Sequence, residues 1–310
     1  MTPHDTTSQT DSTDTHHLVS AQVVVGVDGS KGSDAAVRWA AGYAVHRGRE
    51  LRLMHGLGLV GVNTVAGAYA VTAQDVIDAA RAQGRNVITH AEHLAQLAAP
   101  EVRLSSAMTS DSPAGLLVEH SAEAFAVVIG ATGSAGTLAH LGSTLLAVTA
   151  HAHGTVIVVP AEHADRANAP VVVGVDGSPV SERAIAAAFI EAAERRTSLV
   201  AVHACADWDI GHFAGTDPFL GDAASEEAEK ALLAERLAGW QEKYPDVPVV
   251  RKIYMSAPAE RLREWSQTAQ LVVVGSRGRG GISGLLLGST SNFLVQHAQC
   301  PVMVVHPATR

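Results

Sequence analysis

The chain has 310 residues, 47% apolar and 17% charged, enough for two domains with real cores and too apolar for wholesale disorder. Its net charge of −9, with 22 basic residues against 31 acidic, excludes a bulk polyanion binder such as a DNA-coating protein. Two cysteines, Cys205 and Cys300, cannot build a disulfide framework and lack zinc-ligand spacing, which leaves buried thiols in a reducing compartment. Residues 1–20 are rich in Thr, Ser, Asp and His and carry no apolar stretch, so they read as a disordered tail and not a signal peptide. No run of 18 apolar residues occurs. The expectation is a cytoplasmic protein with neither membrane nor nucleic-acid partners.

In chain order, the first element is a Val-rich strand over 23–27 that runs into Asp28-Gly29-Ser30. Its octapeptide VVVGVDGS, Val23–Ser30, returns unchanged at Val171–Ser178. At the same offset of 148 residues, Ser33, Ala36 and His55 meet Ser181, Ala184 and His203. Later, Gly142-Ser143-Thr144 meets Gly288-Ser289-Thr290 at an offset of 146. The chain is therefore a duplication. The copies are assigned to 21–160 and 171–310, joined by the polar linker 161–170.

Each copy predicts the same series. A helix follows the first strand, with Ser178 as N-cap and Pro179 at the first helical position in the second copy. Next come a strand ending in His (51–55; 199–203), a long loop, and a helix (75–98; 223–243). A third strand (102–107; 249–255) leads to a helix opened by Pro113 or Pro258. The fourth strand (125–130; 271–275) ends in a glycine cluster, and a helix after Gly-Ser leads to the last strand, Val156–Val159 or Val302–Val305. Strands alternating with helices give a mostly parallel five-stranded sheet covered on both faces: two tandem Rossmann-like α/β domains. With only five Phe, four Trp and four Tyr, the core falls to Val, Ala, Leu and Ile.

Ligands of open parallel sheets bind beyond the carboxyl ends of strands where strand order reverses. In the second copy those ends carry Asp176 and the run Gly275-Ser-Arg277-Gly278-Arg279, continuing to Gly288-Ser289-Thr290. Glycines let backbone N–H groups face a phosphate, and the helix opened by Gly288-Ser289 adds the positive end of its dipole. No acidic residue follows Glu264, while Arg277 and Arg279 add positive charge.

The spacing Gly275-x2-Gly278-x9-Gly288-Ser289, together with VVVGVDGS and the duplication, resembles the ATP-binding pattern of universal stress proteins, and the tandem arrangement is similar to their two-domain actinobacterial members. The resemblance implies a fold of that family and binding of ATP, with Mg2+ on the triphosphate and no recognised base for phosphoryl transfer. It implies Val175 and Ala204 at adenine, Asp176 at ribose, and Gly275, Gly278, Gly288, Ser289 and Thr290 around the phosphates, where the charge of Arg277 adds a further expected contact. In the first copy the matching residues are Asp28, Gly130, Gly133, Gly142 and Ser143. There the spacer is one residue short, the loop holds no Arg or Lys, and Leu145-Leu146 replaces Ser291-Asn292. The first site is expected to be the weaker one. The family's pairing through the last strand implies an intrachain pseudo-dimer. A homodimer of the whole chain and an unidentified protein partner complete the expectation of a stress-response regulator.

Two other readings compete: a nucleotide-dependent transferase or slow ATPase on the same fold, and an interaction scaffold with degenerate sites. Gly56-x-Gly58-x-x-Gly61 matches a dinucleotide fingerprint literally but follows the second strand and opens no capped helix. His90 with His93, and His151 with His153, have no completing ligands, so they read as exposed or capping residues. His55 and His203 are expected to shape the pocket, and Glu226-Glu227-x-Glu229 to greet a helix dipole. The segments 56–73 and 204–222 are expected to act as lids, with Trp208 and Phe213 over the base.

Overall fold

A computed structural model describes residues 21–59, 70–131, 143–204, 222–279 and 287–307. The first copy holds β1 (Val23–Gly26), α1 (Lys31–His46), β2 (Glu50–Gly56), α2 (Ala70–Ala98), β3 (Arg103–Thr109), α3 (Pro113–His120), β4 (Ala126–Ala131), α4 (Ser143–His151) and β5 (Thr155–Pro160). The second holds β6 (Val171–Val175), α5 (Pro179–Glu194), β7 (Leu199–Ala204), α6 (Asp222–Lys243), β8 (Val249–Tyr254), α7 (Pro258–Ser266), β9 (Leu271–Gly275), α8 (Ser289–His297) and β10 (Val302–Val305). The tail 1–20 and most of both expected lids, with Trp208 and Phe213, lie outside the described residues, as do Gly133 and Gly142.

Within each copy all strand pairs are parallel, ordered β3-β2-β1-β4-β5 and β8-β7-β6-β9-β10. The copies then join edge to edge into one ten-stranded sheet through the antiparallel pair β5–β10. That pairing hides two apolar edges that would otherwise invite aggregation. Valines alternate between two core layers. Val23 and Val25 pack with α1 and α2, while Val24 packs with Leu116 and Leu117 of α3 and Val148 of α4. The second copy repeats this, with Val171 and Val173 facing Ile185 and Phe189, and Val172 facing Leu262 and Leu294.

The register of the junction reveals an approximate two-fold axis. Ile157 pairs with Met303, its own equivalent in the repeat. On the helical layer Tyr43 meets its equivalent Glu191, 148 residues on, donating its hydroxyl to Oε1 at 2.7 Å. Arg47 pairs with the same oxygen, and Arg195, the repeat equivalent of Arg47, donates Nε–H to Oε2 at 3.0 Å. The Glu191 side chain is only 3% exposed. Burial, reinforced by that carboxylate, pushes the Tyr43 hydroxyl far above its ordinary range. Burial works against the Arg47 charge, but Glu191, Tyr43 and Glu194 together more than offset it.

Candidate functional site

The repeated Asp-Gly-Ser is a turn that hands a strand to a helix. Gly29 and Gly177 adopt φ +78° and +76°, a left-handed conformation that favours glycine. Asp28 Oδ1 and Asp176 Oδ1 each accept the N–H of the serine two residues on, at 2.9 Å. Ser30 and Ser178 then cap α1 and α5 by accepting from the N–H of Ser33 and Ser181. As β1 and β6 end, His55 and His203 use Nδ1 to reach the carbonyls of Val27 and Val175, at 2.6 and 2.7 Å. Both histidines thus brace the strand end beside the site.

In the second copy, Asp176 and the glycine loop come together. The Arg279 N–H donates to Asp176 Oδ2 at 2.9 Å. A Cβ at Gly278 would stand 2.3 Å from that same oxygen, so glycine is needed here for the carboxylate to bind the loop backbone. This reason for Gly278 was not evident from sequence, which placed Asp176 at a nucleoside alone. The loop is pinned further by Ser276 N–H to the Val305 carbonyl and by Gly288 N–H to the Ser276 carbonyl, both at 2.7 Å. From α8, the Ser291 hydroxyl donates to the Gly275 carbonyl at 2.6 Å. Val175, Ala204 and Gly275 end the neighbouring strands β6, β7 and β9, at the point where the order turns from β7 to β9 about β6.

Helix α8 opens on Gly288, which offers no side-chain cap, unlike the serine-capped α1, α3 and α5. Its first-turn N–H groups, with exposed Ser289 and Arg277 beside them, form a surface suited to an anion. Gly288 has an ordinary φ of −69°, and a Cβ on it would make only 3.4 Å contacts with Arg277 and Ser276.

The first copy keeps the Asp28 turn but builds a different wall. Leu145 stands where Ser291 does in the second copy and is buried in the core, so that clamp is lost. A Cβ at Gly130 would collide with the Gly32 backbone at 2.1 Å, so this glycine lets β4 approach α1 whatever the ligand. Ser143 is exposed at the start of α4.

Glu229 corrects the dipole reading of the acidic run. It lies in the interior of α6, fully buried, with Oε2 3.6 Å from His203 Nε2. Leu233 and Leu237, also fully buried, follow at helical spacing on the same face, a signal the sequence did contain. Gly56 ends β2 with no room for a Cβ beside Pro113, and Gly61, the last glycine of the literal dinucleotide match, lies outside the described residues. His90 faces Asp34 at 3.3 Å, and His151 bonds the Ala147 carbonyl as a helix-end residue. Among the described residues no group of three or more His, Cys, Asp or Glu could hold a metal ion, and no helix is long and apolar enough to cross a membrane.

Comparison with known proteins gives a consistent result. Residues 21–160 and 168–306 each match the universal stress protein family. A universal stress protein of Mycolicibacterium smegmatis is 42% identical over 293 residues, covering 92% of this chain and 97% of its own. One from Mycobacterium tuberculosis strain H37Rv is 42% identical over 297 residues, covering 91% and 96%. The crystal structure of a universal stress protein from Archaeoglobus fulgidus shares the fold at a TM-score of 0.69, with 17% identity over 93% of this chain and 98% of that one.

Proposed function

The chain belongs to the universal stress protein family, and we propose that it is a nucleotide-dependent stress regulator that binds ATP in its second copy. The observation that carries this reading is the uncapped start of α8 beside a glycine loop tied to Asp176. Backbone N–H groups there favour negative charge without needing a deprotonated or metal-bound partner. Gly275, Gly278, Gly288, Ser289, Thr290 and Arg277 would hold the phosphates. Asp176 retains acceptor capacity for ribose hydroxyls, since a carboxylate accepts more than the two bonds it makes here. The backbones of Val175 and Ala204 would edge the base. A Mg2+ ion would be held by the phosphates with the hydroxyl of Ser289 or Thr290.

The first copy is proposed to bind more weakly, because it lacks both the Ser291 clamp and the loop arginines. Release and identification of nucleotide from the denatured purified protein, followed by calorimetric titration with ATP, tests the reading. One tight site with no turnover above a protein-free control is expected. Failure to bind ATP would refute it, and turnover lost on Asp176→Ala would favour the enzyme reading instead.

A further inference from the structure

Besides Glu191 at the junction, the described residues include one other buried glutamate, Glu229, inside the second copy. Its Oε2 lies 3.6 Å from Nε2 of the equally buried His203, whose Nδ1 is 2.7 Å from the Val175 carbonyl. A carbonyl only accepts, so Nδ1 carries a proton. A carboxylate and a bare Nε2 would repel each other, so a proton also lies on one side or the other of that pair. The ring therefore stands one way round, because the partner at each nitrogen fixes what the other does. It ties β6 at one nitrogen to α6 at the other, while its own backbone belongs to β7. The residues it holds together, Val175 and its neighbour Ala204, are those placed at the base in the proposed function.

The duplication shows what the domain itself requires. Pro100-Glu101-Val102 matches Pro245-Asp246-Val247, and counting back along the preceding helices sets Gly84 of α2 opposite Glu229 of α6. Both positions face the strand-end histidine. A Cβ on Gly84 would stand 2.9 Å from His55 Cδ2 and 2.6 Å from Met108 Sδ, so α2 closes directly onto the ring. His55 still reaches the Val27 carbonyl at 2.6 Å. The same fold thus keeps the same strand-end contact with no carboxylate at this place. Burying a carboxylate is unfavourable unless a specific partner compensates it. The second copy carries one, together with Arg277, the Ser291 clamp and the bond from Arg279 to Asp176.

We propose that Glu229 is a positioning residue for the base end of the second-copy nucleotide site, acting through His203 to fix the strand ends at Val175 and Ala204. The proposal rests on the reading that this copy binds ATP. Backbone groups held in fixed places distinguish the 6-amino edge of adenine from the 6-oxo edge of guanine, because the wrong edge leaves buried polar groups unpaired; a loop that holds phosphates reads neither.

Calorimetric titration of the full chain with ATP and with GTP, in the parent protein and in Glu229→Gln and Glu229→Asp, tests this. The parent should prefer ATP. Glu229→Gln, equal in size but uncharged, should weaken ATP binding at least tenfold and GTP binding less than twofold, so that the preference shrinks. Glu229→Asp, whose shorter side chain draws the carboxylate back, should fall between the two, and it decides alone if Glu229→Gln does not fold. A purely structural role would instead lower the melting temperature and weaken both nucleotides by one factor. Equal affinity of the parent for ATP and GTP, an unchanged preference in the variants, or loss of both nucleotides by the same factor would overturn the proposal and leave the nucleotide reading standing. A parent protein that binds neither nucleotide would overturn both.

Discussion

The meeting of Tyr43 with Glu191 makes a prediction that depends on symmetry as much as on contact. Glu191→Gln leaves Arg47 and Arg195, with side chains 7% and 18% exposed, without their shared carboxylate. Removing one partner of a buried ion pair costs about 3–5 kcal/mol. Tyr43→Phe deletes one hydrogen bond to a charged group, about 1.5–3 kcal/mol. Because the axis relates Tyr43 to Glu191 and Arg47 to Arg195, the carboxylate can stand on either side of it. The single changes Tyr43→Glu and Glu191→Tyr place two carboxylates or none at the axis, and each should destabilise strongly. The double exchange restores one tyrosine, one carboxylate and two flanking arginines. It should recover more than half of the summed loss, short of full rescue because Trp39, which stacks on Tyr43, has Ala187 as its counterpart. Urea denaturation of the four proteins, treated as a double-mutant cycle, measures the coupling. A double variant as unstable as the sum of its singles would show that the axis is geometric only, with each residue fitted to its own side.

Gly288→Ala should leave stability within about 0.5 kcal/mol, as its φ and 3.4 Å contacts allow, yet weaken ATP binding at least tenfold, about 1.4 kcal/mol, in calorimetry. Asp28→Ala should change ATP binding little while Asp176→Ala removes most of it; two sites of equal affinity in the parent protein would contradict this. Gly130→Ala should destabilise by about 1–3 kcal/mol with or without nucleotide, because its Cβ would meet the Gly32 backbone, and thermal melts read this directly. His306 joins the copies, its ring nitrogens 3.1 and 2.9 Å from the carbonyls of Gly154 and Thr149, and burial holds its pKa below the ordinary 6.5. The neutral ring's contribution to stability is therefore complete above about pH 6.5 and lost as pH falls through the lower folded value. Melting temperature followed from pH 7.5 to 5 should show this fall, and His306→Gln should flatten it; an identical slope in the variant would count against His306. Burial pushes the Cys300 thiol up to about 12, so it should resist alkylation until the protein is unfolded.

The sequence by itself determined the duplication, the order of strands and helices, and the strand ends at which Asp176 and the glycine loop would stand. These are local or periodic properties: a valine run buried on both faces, a left-handed glycine after aspartate, a serine cap, a repeated register. It also indicated that β5 and β10 needed covering, since an apolar edge strand must be paired. Only the tertiary structure decided what depends on which side chains face one another across long separations. It placed the Arg279 N–H on Asp176, and so gave Gly278 a reason internal to the protein. It turned Glu229 inward to His203, although the position reads as a helix start when taken alone. It brought Tyr43 and Glu191 to one axis, a pairing that no periodicity within either copy encodes because it arises from the way the two copies pack.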